Sequence, residues 1–216
     1  MNSKSIADMR ISYDLATLGD AEALIDPFAQ FRLWWDEVAG SNTMEANAMA
    51  LGTVSAEGVP QSRMVLMKEF DAAGLVFYTN YGSAKAQDMA LNPNVCALFY
   101  WPSLQRQVRF TGVAEKVSAA ESDAYFRIRP RGSQLGAWAS NQSRLIRGSG
   151  ELQDSFEHYE QQFADTDEIP RPEDWGGFRI VPARIEFWQG RENRLHDRIV
   201  YSQDEHGDWV HSRLAP

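Results

Sequence analysis

Apolar residues recur along this chain with two different periods. Over 27–40, PFAQFRLWWDEVAG, residues Phe28, Phe31, Trp34 and Trp35 fall on one helical face. Asp26-Pro27 supplies the start of that helix and Gly40 its end. From residue 47 the period shortens to that of strands. AMALGTVS, PQSRMVLMKEF and LVFYTN, with turns at Ala56-Glu57-Gly58 and Asp71 to Gly74, predict a three-stranded meander. Ser83 is placed to cap a short helix, AKAQDMAL, which Asn92-Pro93 ends. VCALFYW and RQVRFTGVAEKV add two strands. Residues 119–128, 131–141 and 150–164 read as helices, the middle one started by Pro130. FRIVPARIEFWQG, RLHDRIVYSQ and the terminal DWVHSRL are strand-like again, and residues 1–25 read as a helical arm.

The strands therefore come in two groups with helices inserted between them. Connections of hairpin length favour an antiparallel barrel over a parallel sheet. With no repeat, low-complexity tract or linker, the pattern predicts one domain over 1–216, with 1–25 as its arm.

Charge narrows the possible partners. A formal net charge of -9 argues against a nucleic-acid surface, which needs a basic face. No apolar run approaches a membrane span, and the start lacks an apolar signal core. A lone cysteine, Cys96, allows no internal disulfide, so a cytoplasmic location is expected. The histidines at 158, 196, 206 and 211 lack ligand spacing, so no metal site is expected. The dinucleotide fingerprint, the P-loop and the serine-hydrolase elbow are all missing.

Of 21 basic residues only 4 are Lys, and the Arg excess suits bidentate recognition of carboxylate or phosphate. Four stretches hold cations that local structure does not require. In Arg63-Met64-Val65-Leu66-Met67-Lys68, strand alternation sends Arg63 and Lys68 to opposite faces, one of them otherwise apolar. Lys85 sits in the first turn of its helix, where it reads either as a phosphate seat or as an exposed lysine. Taken alone, it reads as the exposed lysine. In FRIRPRGSQ, residues 126–134, Arg129 lies at a helix joint before Pro130, with Gly132 and Ser133 in the next first turn. Arg127 and Arg131 read as flanking surface charge. In an extended chain Arg194, His196 and Arg198 would share a face, with local pairing to Glu192 and Asp197 as the plain alternative. Together the four favour one or two bound phosphates.

The stretches RMVLMK, VFYTN, RQV, YFRIRPRGSQLGAWASNQS, WGGFR, IEFWQGRENRLHDR and the terminal RLAP resemble those of the pyridoxine (pyridoxamine) 5′-phosphate oxidase family over nearly the whole chain. The resemblance implies a mainly β fold with inserted helices, an antiparallel FMN-binding split β-barrel. It also implies a homodimer with FMN at the subunit interface. The implied FMN ligands are Arg63, Met64, Val65, Leu66, Met67, Lys68, Tyr78, Thr79, Lys85, Gln107, Gln142, Ser143, Trp188 and Arg198. The implied substrate-phosphate ligands are Lys68, Tyr125, Arg129 and Ser133. Arg194 and His196 match the residues at the substrate ring, and Arg10 and Tyr13 match a segment that closes over it. The reaction implied is oxidation of pyridoxine or pyridoxamine 5′-phosphate to pyridoxal 5′-phosphate by O₂, releasing H₂O₂. A different flavin split-barrel oxidase, as in phenazine pathways, and a non-catalytic flavin or pyridoxal-phosphate carrier are the alternatives. Two departures stand out: Ala84-Lys85 where the family often has Arg-Lys, and an arm reading Arg10-Ile11-Ser12-Tyr13.

Overall fold

A computed structural model describes residues 5–6, 12–41 and 43–216. Arg10 lies outside the described residues. The order of elements is α1 (Pro27–Ala39), β1 (Ala48–Val54), β2 (Pro60–Leu66), β3 (Glu69–Asp71), β4 (Gly74–Asn80), α2 (Ala84–Leu91), β5 (Asn94–Trp101) and β6 (Arg106–Lys116). There follow α3 (Ala119–Arg127), α4 (Arg131–Ala139), α5 (Ser149–Gln162), β7 (Trp175–Gln189), β8 (Asp197–Gln203) and β9 (Trp209–Arg213). Strands neighbour one another in the order β2-β1-β5-β6-β7-β4-β3, with β8 on β7 and β9 on β8. The β3–β4, β4–β7, β7–β8 and β8–β9 ladders are all antiparallel.

Two compact units divide the chain. The first comprises the described residues up to Met49, with Ala97–Thr111 and Ala183–Pro216. Its core is aromatic: Phe31 meets Phe110 edge-on at 5.0 Å and stacks on Trp101, while Trp34 meets Phe187 at 5.1 Å. Asp26 caps α1 by accepting from the Phe28 N–H, which fixes the helix that delivers Phe28, Phe31 and Trp34 to this core.

The second unit comprises Ala50–Cys96 and Gly112–Pro182. Here Trp175 begins β7 and packs with Phe126, Leu135, Phe163 and Ile169, so one side chain gathers α3 and α4 with the segment after α5. A reciprocal capping box, Ser118 with Glu121, starts α3. Gly74 and Gly112 lie against the backbone of β7, where an added Cβ would come within 2.0 Å of a carbonyl oxygen.

Three expectations change. The meander is broken: PQSRMVLMKEF forms two strands, β2 beside β1 and β3 beside β4. The break falls at Met67-Lys68, where Met67 turns into the core and the Lys68 N–H bonds the Val76 carbonyl at 2.8 Å. Residues 12–25 are irregular and not helical. Their N–H groups at Leu15, Leu18 and Gly19 go to the side chains of Gln105, Asp197 and Glu22, which takes donors from a helix ladder. Ser83 occupies the N-cap position of α2 but makes no capping bond.

Candidate active site

In the second unit the end of β2, β4, α2, α3 and α4 surround a cavity of about 430 Å³, within the roughly 300–1,000 Å³ of small-molecule sites. Lys68, Lys85 and Arg129 line it, and no Asp or Glu does among the described residues. In a chain of net charge -9, that is a cationic hollow in an acidic protein.

Arg129 is placed by the interruption between two helices. The helix α3 ends before Arg129-Pro130, because the residue preceding proline avoids helical geometry. Gln134 then ties α4 back by donating to the exposed end of α3, at the Phe126 carbonyl, 2.9 Å away. The Arg129 guanidinium lies 4.5 Å from the Trp175 ring centre. Its Nη1 is buried with no hydrogen-bond partner among the described residues, and burial lowers its pKa. An unsatisfied buried donor on a cation is costly unless a ligand completes it. Beside it, Tyr125 stacks on Tyr78 at 4.0 Å, and Tyr78 on Trp175 at 5.4 Å. Burial and nearby carboxylates push the Tyr78 phenol up to about 12, so it stays protonated. Ser133, in the first turn of α4, completes this end of the cavity.

Lys85 is buried, at 8% exposure, which overturns its reading as an exposed lysine. Its Nζ donates to Thr79 Oγ1 at 3.1 Å, Gln142 Oε1 at 3.0 Å and Ser83 Oγ at 3.4 Å. All three acceptors are neutral. Burial, and then the charge of Arg63, bring its pKa down to about 8. Thr79 also donates to Gln142 Oε1 at 2.8 Å, which holds the 142–143 turn over the cavity. Ser143, exposed and at φ +72°, does not line the cavity, nor do Met67 and Arg63. Met64, Val65 and Leu66 line the wall. Arg63 is half-buried, donating to Thr53 Oγ1 at 2.7 Å and the Leu51 carbonyl at 3.2 Å. Thr53 in turn donates to Asp88 at 2.6 Å. Because β2 stops at Leu66, the alternation argument for Arg63 and Lys68 does not extend to Lys68.

The first unit carries Tyr13, Gln107, Trp188, Arg194, His196 and Arg198. Arg194, His196 and Arg198 do not share an extended face. Glu192–Arg194 form a turn in which Asn193 and Arg194 adopt φ of +55° and +61°, and β8 begins only at Asp197. A non-glycine left-handed residue is strained, and Arg194 is exposed, with no ion pair among the described residues. His196 Nδ1 accepts from the Arg191 N–H at 3.1 Å. That bond assigns the proton to Nε2, leaving a donor free. Burial and the charge of Arg194 lower its pKa, so it is neutral at pH 7. Trp188 lies 4.6 Å from its ring, and Tyr13 is edge-on to both. Arg198 is committed elsewhere, donating to Glu186 at 2.8 Å and to the Ala215 carbonyl at 2.7 Å. Gln107, on β6, is half-buried.

Asn80, Ser140 and Trp175 line the cavity without having been singled out, and Thr53, Asp88 and Glu186 hold the arginines. Asp88 left a sequence signal: it shares a face with Lys85, three residues earlier, among the buried positions of α2.

The family model described as pyridoxamine 5′-phosphate oxidase matches residues 39–189. The chain belongs to this family. A second model, the pyridoxine 5′-phosphate oxidase C-terminal dimerisation region, matches residues 175–216. A pyridoxine/pyridoxamine 5′-phosphate oxidase of Microcystis aeruginosa is 50% identical over 98% of this chain and 99% of its own. One from Pseudomonas fluorescens is 50% identical over 99% of this chain and 100% of its own. Among solved structures, PhzG from Burkholderia lata in complex with tetrahydrophenazine-1-carboxylic acid superposes with TM-score 0.88 at 25% identity, over 95% of this chain and all of that one. A pyridoxamine 5′-phosphate oxidase-related, FMN-binding protein of Nostoc punctiforme superposes with TM-score 0.70 at 18% identity, over 90% of this chain and 100% of its own. The fold is therefore the antiparallel split barrel of this family, as the sequence predicted. Among the described residues, no group of His, Cys, Asp and Glu could hold a metal ion, and no helix is long and apolar enough to cross a membrane.

Proposed function

We propose that this chain oxidises pyridoxine 5′-phosphate or pyridoxamine 5′-phosphate to pyridoxal 5′-phosphate, with FMN as cofactor and O₂ as electron acceptor. The observation that carries the reading is the carboxylate-free cavity whose cations lack counterions, with Arg129 Nη1 buried and unpartnered. Two phosphates, one on the substrate and one on FMN, supply the missing charge. Relatives of full length and 50% identity bear the name of this activity.

The residues fit FMN. Lys85, with Thr79 and Gln142, forms a phosphate seat, and Met64, Val65, Leu66 and Tyr78 offer a wall for the ring. Arg63 (already paired with Asp88), Ser143 and the buried Met67 lie off that lining and would join the cofactor set only from beside it. Gln107, Trp188 and Arg198 complete the cofactor set in a homodimer with FMN at the subunit interface, and the match of residues 175–216 to a dimerisation region supports that assembly. The chemistry FMN supplies when bound is acceptance of a hydride from the substrate C4′ and return of the electrons to O₂ as H₂O₂.

The protein supplies placement. Arg129, Lys68, Tyr125 and Ser133 grip the substrate phosphate, remote from the reacting carbon, and so fix where C4′ stands. Arg194 lies over the pyridine ring and stabilises charge there. Neutral His196 donates from Nε2 to the substrate's polar groups. Arg10 and Tyr13 close the site. The chain works as one domain, in the cytoplasm.

Purified protein supplied with FMN, pyridoxine 5′-phosphate and oxygen tests the reading. A yellow protein forming pyridoxal 5′-phosphate and H₂O₂ in equal amounts is expected. A colourless protein that FMN does not reconstitute, or one that turns over a non-phosphorylated aromatic instead, sinks it. The second outcome would favour the reading suggested by PhzG.

A further inference from the structure

We infer that Asp197 and Arg213 are positioning residues that clasp the 12–20 segment so that Tyr13 stands against His196. The inference rests on the oxidase reading, in which Tyr13 and His196 face the substrate.

The segment has no secondary structure of its own, so side chains must fix its course. Near its start, the side-chain amide of Gln105 brackets Tyr13. Gln105 Nε2 donates to the Ser12 carbonyl, and Oε1 accepts from the Leu15 N–H, both at 3.3 Å. Gly190 lies under the ring, where an added Cβ would come within 2.8 Å of Tyr13 Cγ. These contacts set the ring but leave the chain beyond Leu15 free.

The second hold is ionic. Asp197 Oδ2 accepts from the Leu18 N–H at 3.1 Å, and Arg213 Nη2 donates to the Leu18 carbonyl at 2.8 Å. Both backbone groups of one residue are thus taken by two side chains of opposite charge. Arg213 reaches Asp197 Oδ1 with Nη1 at 2.9 Å, and Asp20 with Nε and Nη2 at 2.9 and 2.7 Å. The Leu18 side chain is buried, so the clasp has an apolar anchor. Asp197 also accepts from Arg191 Nη1 at 2.8 Å, and the N–H of that same Arg191 fixes the His196 tautomer. One carboxylate therefore ties the segment carrying Tyr13 to the residue that orients His196.

A purely structural ion pair would behave differently. Arg213 is partly exposed and Asp20 is exposed, and pairs of that kind contribute little to global stability. Loss of the clasp should free the segment while the fold stays intact. Lysine should not replace Arg213, since one ammonium cannot match the planar fork that meets Asp197, Asp20 and Leu18 together.

The test uses the FMN-loaded protein, with pyridoxine 5′-phosphate kinetics and chymotrypsin cleavage after Tyr13 as paired readouts. Arg213→Ala should raise KM about tenfold with kcat within about twofold, and accelerate cleavage about tenfold. FMN content should not change. Arg213→Lys should restore less than half of either effect. In a Tyr13→Ala background, Arg213→Ala should leave KM within about twofold, because the clasp acts through Tyr13. Unchanged KM and cleavage in Arg213→Ala, or a full additional KM effect in the Tyr13→Ala background, overturns the inference. If Arg213→Ala does not fold, Asp20→Ala removes the outer half of the clasp and should show the same pattern more weakly; wild-type behaviour there also overturns it. A wild-type protein that makes no pyridoxal 5′-phosphate counts against the oxidase reading, whereas the cleavage readout still judges the clasp.

Discussion

The cavity of the second unit treats its positive charges differently from the first unit, and from the rest of its own unit, where Arg63, Arg127, Arg171 and Arg179 meet carboxylates. In the first, Arg106, Arg109, Arg191, Arg198 and Arg213 each meet a carboxylate, and Glu186 alone serves both Arg109 and Arg198. In the second, the cavity cations Lys85 and Arg129 meet neutral groups, aromatic faces or nothing. A buried charge without a counterion costs stability, so it persists only where a ligand supplies the opposite charge. Unpaired cations mark the site, whereas paired ones, Arg63 with Asp88 included, are held by the framework first. By that criterion Arg198, bonded to Glu186 and the Ala215 carbonyl, is held in place first and reaches a cofactor only with the donor capacity that remains.

The comparison is most exposed to mutation where the charge is paired. Glu186→Leu should destabilise the protein by about 3 kcal/mol in urea unfolding, because it strands two arginines beside a buried site. A loss under about 1 kcal/mol would mean that the pair is solvated and that the contrast fails. Lys85→Met removes a cation that nothing inside the protein neutralises. It should weaken FMN binding about 30-fold, as loss of a charge-assisted bond of roughly 2 kcal/mol implies. Fluorescence titration reads this, and an unchanged affinity would remove Lys85 from the phosphate seat.

Proton linkage supplies a finer probe of the same lysine. Its pKa in the folded protein, about 8, lies below the 10.5 of an ordinary lysine. The folded state therefore releases the proton first, and the free protein should gain stability as pH rises from about 8 to about 10.5. Lys85→Met should abolish that gain. FMN affinity should move oppositely, full below pH 8 and declining above it as the ammonium is lost. On the other side, the pKa of His196 is lowered from 6.5, so kcat/KM should be flat through neutral pH and fall only at more acid pH. A decline centred at or above pH 6.5 would contradict a neutral donor. The smallest effect concerns Ala84, exposed at the start of α2 beside Lys85. Ala84→Arg, restoring the cation common in the family, should tighten FMN binding by up to about tenfold.

Much of this was legible in the sequence because it is local. The alternating burial of β5 and β6 follows directly from VCALFYW and RQVRFTGVAEK, and Pro130 marks the joint that exposes Arg129. What escaped depends on distant partners. Alternation located PQSRMVLMKEF as extended chain but could not say that its two halves pair with different strands. Lys85 looked exposed because the residues that bury and bind it include Gln142, 57 positions away. Arg194, His196 and Arg198 looked collinear because nothing in RENRLHDR announces two left-handed residues, neither of them glycine. The arm looked helical because the side chains that take its N–H groups, Gln105 and Asp197, come from remote parts of the chain.

Arg129→Met separates framework from site in one protein, with affinity for pyridoxine 5′-phosphate compared with unphosphorylated pyridoxine by calorimetry. The wild type should prefer the phosphate strongly, and the variant should lose about 100-fold of that preference while binding unphosphorylated pyridoxine as before. Its unliganded thermal stability should hold or rise, since an unsatisfied buried cation has been removed. An undiminished preference for the phosphorylated compound would contradict the account.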